Sequence, residues 1–284
     1  MNQAIKMLAL DLDGTLALDN HQVSAATKTG LKQLHNNEQV EVVIATGRRY
    51  RSTRYVADNL DFDVSIVCNG GALVKNQQHQ TLQSVTFAED QVQHLISLGR
   101  RVGLSLSGQR DSHALGGPDF YIDNAEVWNQ QAQGYFDDNA GYAEAADIQK
   151  NWQDILVIGA FDEEEKLQAF SKLVNEDSND RFHTVIVPHL DSPYHYCEVS
   201  LRHVTKWYGL DVLAQRKAIT ADNICAAGDQ MNDYAMVQTV AHGVAMANGN
   251  DELKSIANFV CGRHDEDGLL DVVNYIRQHN QKHG

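Results

Sequence analysis

The chain has 284 residues, 43% of them hydrophobic, and a formal net charge of -15 at pH 7. Length and apolar content suit one large or two moderate domains with sizeable cores. The acidic field opposes general affinity for nucleic acid or anionic membrane, yet it leaves a small phosphate ester open as a ligand, because a bound cation reverses the field locally.

No run of about 18 apolar residues occurs, so no transmembrane helix is expected. The N-terminus runs directly into the first predicted strand, and no separate signal peptide is expected. Cys68, Cys197, Cys225 and Cys261 lie in or beside apolar runs without CxxC spacing. They read as small buried hydrophobes in a reducing cytoplasm. The 13 histidines form no HExxH-type pair.

In chain order, Met7-Leu8-Ala9-Leu10 predicts a strand that ends in Asp11-Leu12-Asp13-Gly14-Thr15-Leu16. Two carboxylates two residues apart after a buried strand suit a nucleophilic aspartate, a neighbouring acid/base and a metal ion. An Asp-Gly turn is the plainer explanation. Ser24 is placed to cap a helix carrying Leu31 and Leu34. Residues 41–45 predict the next strand, which ends at Thr46-Gly47-Arg48; a helix over 51–60 and a strand over 64–68 follow. Alternation of this kind builds a doubly wound parallel sheet, an α/β fold.

Beyond residue 84 the pattern changes. A helix is predicted over 88–102, a half-buried strand at Leu104-Ser105-Leu106, and a chain break at Gly116-Gly117-Pro118. A strand at 155–158, a helix over 163–174, a loop over 175–180 and a strand at 184–187 follow. These residues predict an inserted α+β domain over 84–189, with Pro188 and Pro193 bracketing the return. The remaining core is then 1–83 and 190–284. In its second part come strands near 195–199 and 223–227, helices near 205–214 and 232–238, strands at 243–246 and 258–261, and a last helix from Leu269. The run 224–228 ends in Asp229, with Asn232 and Asp233 beyond it. Three strand ends bearing Asp/Asp, Thr and Asp/Asn/Asp match an open α/β sheet, whose ligands bind beyond the carboxyl ends of the strands.

The four segments DLDGTL, ATGR, the lysine at 206 and GDQMND, in this order and spacing, resemble the haloacid dehalogenase (HAD) superfamily of phosphohydrolases. The nearest branch is the Cof-like one with a large α/β cap (type IIB), and Cys68-Asn69-Gly70-Gly71-Ala72 also resembles that branch. The resemblance implies a Rossmann-like core, a cap that closes over the substrate and chooses the leaving group, and a Mg²⁺-dependent phosphatase. The substrates it implies are small phosphorylated metabolites, such as sugar phosphates or phosphorylated cofactors, hydrolysed through an aspartyl-phosphate.

Carried onto this chain, the resemblance makes Asp11 the nucleophile. Asp13 becomes the general acid and then the base, a role that favours a raised carboxyl pKa in the substrate complex. Asp11, Asp229 and the backbone carbonyl of Asp13 hold the metal. Thr46 and the Gly47 amide meet the phosphoryl oxygens, as do the amides of Leu12 and Asp13, and Lys206 neutralises the transferring group and Asp11. Arg48 reaches phosphate or pairs with carboxylates. Asn69 and Gly70 shape the loop facing the cap. Asn232 and Asp233 occupy the outer positions of the last segment, where they hold metal-bound water, the loop or Lys206, with an Asx-rich turn as the alternative. His203-Val204-Thr205-Lys206-Trp207 departs from the usual setting, where a small residue follows the lysine. A phosphomutase of the same architecture, marked by bisphosphate activation, and a non-catalytic phosphometabolite sensor are the competing functions. A dehalogenase would need neither Asp13 nor Asp229.

Overall fold

The computed structural model describes residues 3–123, 130–177, 179–188 and 194–283. The chain divides into two compact units, Met1–Gln83 with Thr205–Gly284, and Ser84–Val204. The strands are β1 (Met7–Leu10), β2 (Glu41–Ala45), β3 (Ser65–Cys68), β4 (Leu73–Lys75), β5 (Thr81–Ser84), β6 (Ser107–Gln109) and β7 (Phe120–Asp123). They continue as β8 (Ala143–Ala146), β9 (Val157–Glu163), β10 (Phe182–Pro188), β11 (Tyr194–Leu201), β12 (Ile224–Gly228), β13 (His242–Met246) and β14 (Phe259–Cys261).

The first sheet has the order β14-β13-β12-β1-β2-β3-β4-β5. From β14 to β3 its neighbours run parallel, and β4 returns antiparallel to β3. Every residue of β1, β2, β3 and β12 is buried. Strands covered on both faces read as continuous apolar runs, which is why MLAL, VVIA and ICAA stood out in the sequence. On one face Met7, Ala9, Val43, Ala45 and Val67 pack with Leu210, Leu213 and Met236. Trp207 lies against the same cluster, so it is a packing residue of this core. Ser24 caps the helix Ala25–Glu38 as expected, its hydroxyl accepting from the Thr27 amide at 3.1 Å.

The second unit carries the sheet β10-β11-β9-β6-β7-β8. It corrects the expected boundary. The strand near 195–199 was assigned to the parallel core, with the return bracketed by Pro188 and Pro193. Instead β11 lies between β10 and β9, antiparallel to both, with Cys197 opposite Ile186 and Ala160. The chain re-enters the first unit at Thr205; Pro193 and the 189/190 boundary lie outside the described residues. The expected strand at 104–106 also moves, to Ser107–Gln109, although Leu104 and Leu106 are buried. The helix Glu164–Asp177 runs into the stretch expected as loop. Strands β7 and β8 and the helix Gln130–Asp138 had no counterpart in the sequence reading. The four cysteines are buried thiols; burial pushes Cys197 and Cys261 up to about 12.

Candidate active site

From β1 the chain winds outward through β2 and β3, and from β12 it winds the other way through β13 and β14. The reversal between β1 and β12 opens a crevice at the carboxyl ends of these strands. Asp11, Thr46 and Asp229 are the first residues past β1, β2 and β12. The sheet ladder reaches the first two of them: the Asp11 amide donates to Ala227 O at 2.9 Å and the Thr46 amide to Val67 O at 2.8 Å. All three are buried.

Lys206 opens the helix Lys206–Arg216, whose N-cap Thr205 accepts from the Tyr208 amide at 3.2 Å. The helix start rests on the turn Asn69–Gly71. Gly71 has φ +110°, and a Cβ there would run into the Thr205 carbonyl. The turn is tied back to the second strand end: the Gly70 amide donates to Thr46 O at 3.1 Å, and the Asn69 amide to Arg48 O at 3.0 Å. The backbone of Asn69 and Gly70, expected to shape a loop, thus links the end of β2 to the turn on which the Lys206 helix starts.

Lys206 is 2% exposed, and its Nζ donates to Asp11 Oδ1 at 2.5 Å and to Asp233 Oδ1 at 2.6 Å. The other Asp233 oxygen accepts from the Asp229 amide at 2.9 Å and the Gln230 amide at 3.1 Å. Asp233, expected to hold metal-bound water, the loop or Lys206, is fully buried and holds two of these, joining Lys206 to the Asp229 loop. Asn232, by contrast, is exposed and outside this cluster.

Carboxylate oxygens of Asp11, Asp229 and Asp233 lie within 4.8 Å of one another. Burial raises the Asp11 carboxyl well above the usual carboxylate range, Asp233 adds to the rise, and Lys206 opposes it. Burial and then Asp233 raise Asp229 as well. Burial alone would lower the Lys206 ammonium, but Asp11 and Asp233 outweigh it and hold the group above its ordinary value. Three carboxylates facing one ammonium leave two formal negative charges in a buried place. That surplus, in an all-oxygen donor set, fits a hard divalent cation such as Mg²⁺. Asp233 spends its oxygens on Lys206 and two amides, which leaves Asp11 and Asp229 as the carboxylates with room for a metal.

Asp13 sits apart from the cluster. Its side chain is 54% exposed, and Arg48 holds both its oxygens, Nη2 on Oδ1 and Nε on Oδ2 at 2.7 Å. Arg48 therefore pairs with a carboxylate, one of its two expected roles. The Thr46 hydroxyl accepts from the Arg48 amide at 3.1 Å. A Cβ on Gly47 would meet open space. The Leu12 side chain is in the core, so only its backbone is available to a ligand.

Several positioning residues escaped the sequence reading. The Thr15 hydroxyl lies 3.5 Å from Asp229 Oδ1. Asn248 Nδ2 donates to Gly14 O at 2.8 Å, and the Asn250 amide to Asp229 O at 2.7 Å. The polar run Ala247-Asn248-Gly249-Asn250 after β13 was the available signal, one more turn at the same sheet edge. Gly14 has φ +77°, and a Cβ there would press on the Asp229 carboxylate. Gly14→Ala is expected to lower stability by at least the roughly 1–2 kcal/mol of left-handed strain, because the methyl also presses on the Asp229 carboxylate. Thermal unfolding checks this; an unchanged midpoint would show that Asp229 is not pinned from this side.

The profile of the haloacid dehalogenase-like hydrolases matches residues 8–273. The chain is 25% identical over 292 residues to phosphatase YwpJ of Bacillus subtilis, covering 96% of this chain and all of that protein. It is 26% identical over 270 residues to the 5-amino-6-(5-phospho-D-ribitylamino)uracil phosphatase YitU of the same organism, covering 93% and 94%. Its fold is similar to that of the HAD-superfamily phosphatase BT1666 from Bacteroides thetaiotaomicron, with a TM-score of 0.79, 22% identity and 96% of each chain covered.

Proposed function

Because the chain belongs to the haloacid dehalogenase-like hydrolases, we propose that it is a Mg²⁺-dependent phosphatase of small phosphorylated metabolites, working through an aspartyl-phosphate on Asp11. The observation that carries the proposal is the buried Asp11–Lys206–Asp233 chain with Asp229 beside it, at the reversal of the sheet. The similarity to a 5-amino-6-(5-phospho-D-ribitylamino)uracil phosphatase supports a small leaving group of the ribityl type.

In this reading Lys206 holds one oxygen of Asp11 and leaves the other to attack phosphorus in line. The P–O bond to the leaving group breaks as the bond to Asp11 forms, and Asp13 supplies the proton the departing oxygen needs. Asp13 then takes a proton from the water that hydrolyses the phosphoaspartate. The Thr46 hydroxyl and the Gly47 amide bind phosphoryl oxygens, and Lys206 offsets the charge they gather. Asp11 and Asp229 would hold Mg²⁺, with the Asp13 carbonyl as a third ligand; when bound, the ion neutralises phosphoryl charge.

The test is phosphate release from a panel of sugar phosphates and phosphorylated cofactors, with Mg²⁺ and with chelator. Release should be Mg²⁺-dependent and reversible by re-addition. Metal-independent release would refute the metal role. Release from no compound by folded, Mg²⁺-loaded protein would refute the phosphatase.

The raised carboxyls add a second readout. Asp11 and Asp229 ionise less readily folded than unfolded, so the metal-free protein loses stability as pH rises through their folded-state values. Mg²⁺ binds the ionised form. Its stabilisation, about 2.7 kcal/mol at a hundred times Kd, should therefore grow, at fixed Mg²⁺, as pH rises through the raised folded-state values of the two carboxyls. A thermal shift on adding Mg²⁺ that does not depend on pH would contradict this.

A further inference from the structure

We infer that His21 is a positioning residue for Asp13, acting through Arg48; the inference rests on the reading of Asp13 as general acid and base. Asp13 is the one carboxylate of the first segment that the core does not immobilise, being half exposed. An acid that must meet a leaving oxygen needs a defined position, and here Arg48 supplies it by gripping both oxygens. Arg48 is itself a long side chain at 22% exposure, so something must hold the guanidinium in turn.

His21 meets that need. Its Nδ1 lies 2.9 Å from Arg48 Nη2, the nitrogen that also holds Asp13 Oδ1. Arginine only donates, so Nδ1 is the acceptor, and the two hydrogens of Nη2 are divided between Asp13 and His21. His21 thereby fixes the same nitrogen that holds Asp13, so the guanidinium edge facing Asp13 is held by both residues.

The backbone brings His21 there at a cost. His21 has φ +61°, the left-handed region that a non-glycine residue rarely occupies. A tight turn holds it: the His21 amide donates to Leu18 O, and the Leu18 amide to Gln22 O, each at 2.8 Å. That turn continues directly from Asp13, which pairs with Ala17 in an isolated bridge, the Ala17 amide donating to Leu12 O at 2.8 Å. His21, Arg48 and Asp13 therefore sit on one short, closed stretch of backbone and the neighbouring strand end.

The experiment compares His21→Gly with His21→Asn. Glycine accepts the left-handed backbone and removes the acceptor. Asparagine tolerates the same backbone, and its Oδ1 stands where Nδ1 does. The probes are p-nitrophenyl phosphate, whose leaving group departs without a proton, and phenyl phosphate, whose leaving group needs one. His21→Gly should lower kcat/KM about tenfold for phenyl phosphate and less than about twofold for p-nitrophenyl phosphate, a fraction of the 10²–10⁴-fold worth of a general acid. His21→Asn should restore the phenyl phosphate rate.

Equal loss on both substrates, no loss on either, or failure of asparagine to rescue would overturn the inference. Asp13→Asn is the reference. If it shows the selective loss and His21→Gly does not, only the role of His21 fails. If Asp13→Asn shows no selective loss, the general-acid reading fails and takes this inference with it.

Discussion

Asp11→Asn is expected to reduce turnover by about 10⁴-fold or more while the thermal midpoint stays level or rises. The amide cannot attack phosphorus, so the loss falls on the chemical step. The fold should tolerate the change for a reason visible in the site. Asp11 Oδ1 accepts from Lys206, and an asparagine oxygen accepts the same bond. Lys206 keeps its ion pair with Asp233 at 2.6 Å. What disappears is a buried negative charge whose carboxyl is already raised by burial and by Asp233. Removing a charge the fold disfavours relieves repulsion with Asp233 and Asp229, the trade between stability and activity common at active sites. Turnover above about a hundredth of wild type, measured on the best substrate of the panel, would discard Asp11 as nucleophile. A clear fall in the midpoint would discard the electrostatic account.

Lys206→Met should act on both activity and stability. Methionine keeps the length and removes the charge. Asp11 and Asp233 are then left buried with no cation between them. Breaking a buried pair from one side typically costs about 3–5 kcal/mol, and loss of a charge-stabilising donor about 10²–10³ in kcat. The stability cost should shrink as pH falls, because the Asp11 carboxyl, already raised by burial and by Asp233, can take up a proton in place of the ammonium. Adding Asp11→Asn to Lys206→Met should recover part of it, since the double variant buries one charge fewer; the two effects share a partner and are not additive. Urea unfolding midpoints at neutral and mildly acidic pH measure all three variants. A stability cost under about 1 kcal/mol, or one that does not change with pH, would show that Lys206 is not the counter-ion of this cluster.

Both predictions concern residues that could be named from the sequence, and the reason is local. A parallel strand covered on both faces has to be apolar throughout, so it stands out as a block, and the first polar residue after the block is at a strand end. Asp11, Thr46 and Asp229 were legible on that basis. The resemblance of the four segments to haloacid dehalogenases supplied the lysine, whose helix is otherwise an ordinary amphipathic one. The profile match over 8–273 agrees with that resemblance.

The second unit was less legible. In β11, Cys197, Val199 and Leu201 are buried while Tyr196, Glu198 and Ser200 are half-buried. Such alternation belongs to an antiparallel sheet with one face covered, unlike the solid runs of β1 or β12, and it separates β11 from the parallel core. The prolines at 188 and 193 outweighed it because they read as a boundary. Strands as short as β6, with Gly108 at its centre, leave almost no periodic signal.

By itself the sequence determined the parallel core, the three strand ends at which Asp11, Thr46 and Asp229 sit, and the family of the chain, because each depends on local burial pattern or on motif order. Only the tertiary structure decided how the charges are shared. Asp233 lies 27 residues from Lys206 and serves as its second partner. Arg48 grips Asp13 from 35 residues away and is met by His21 from 27. No periodicity encodes which carboxylate a given cation meets, because that depends on how loops from separate strand ends pack against one another after the sheet has brought them to one edge.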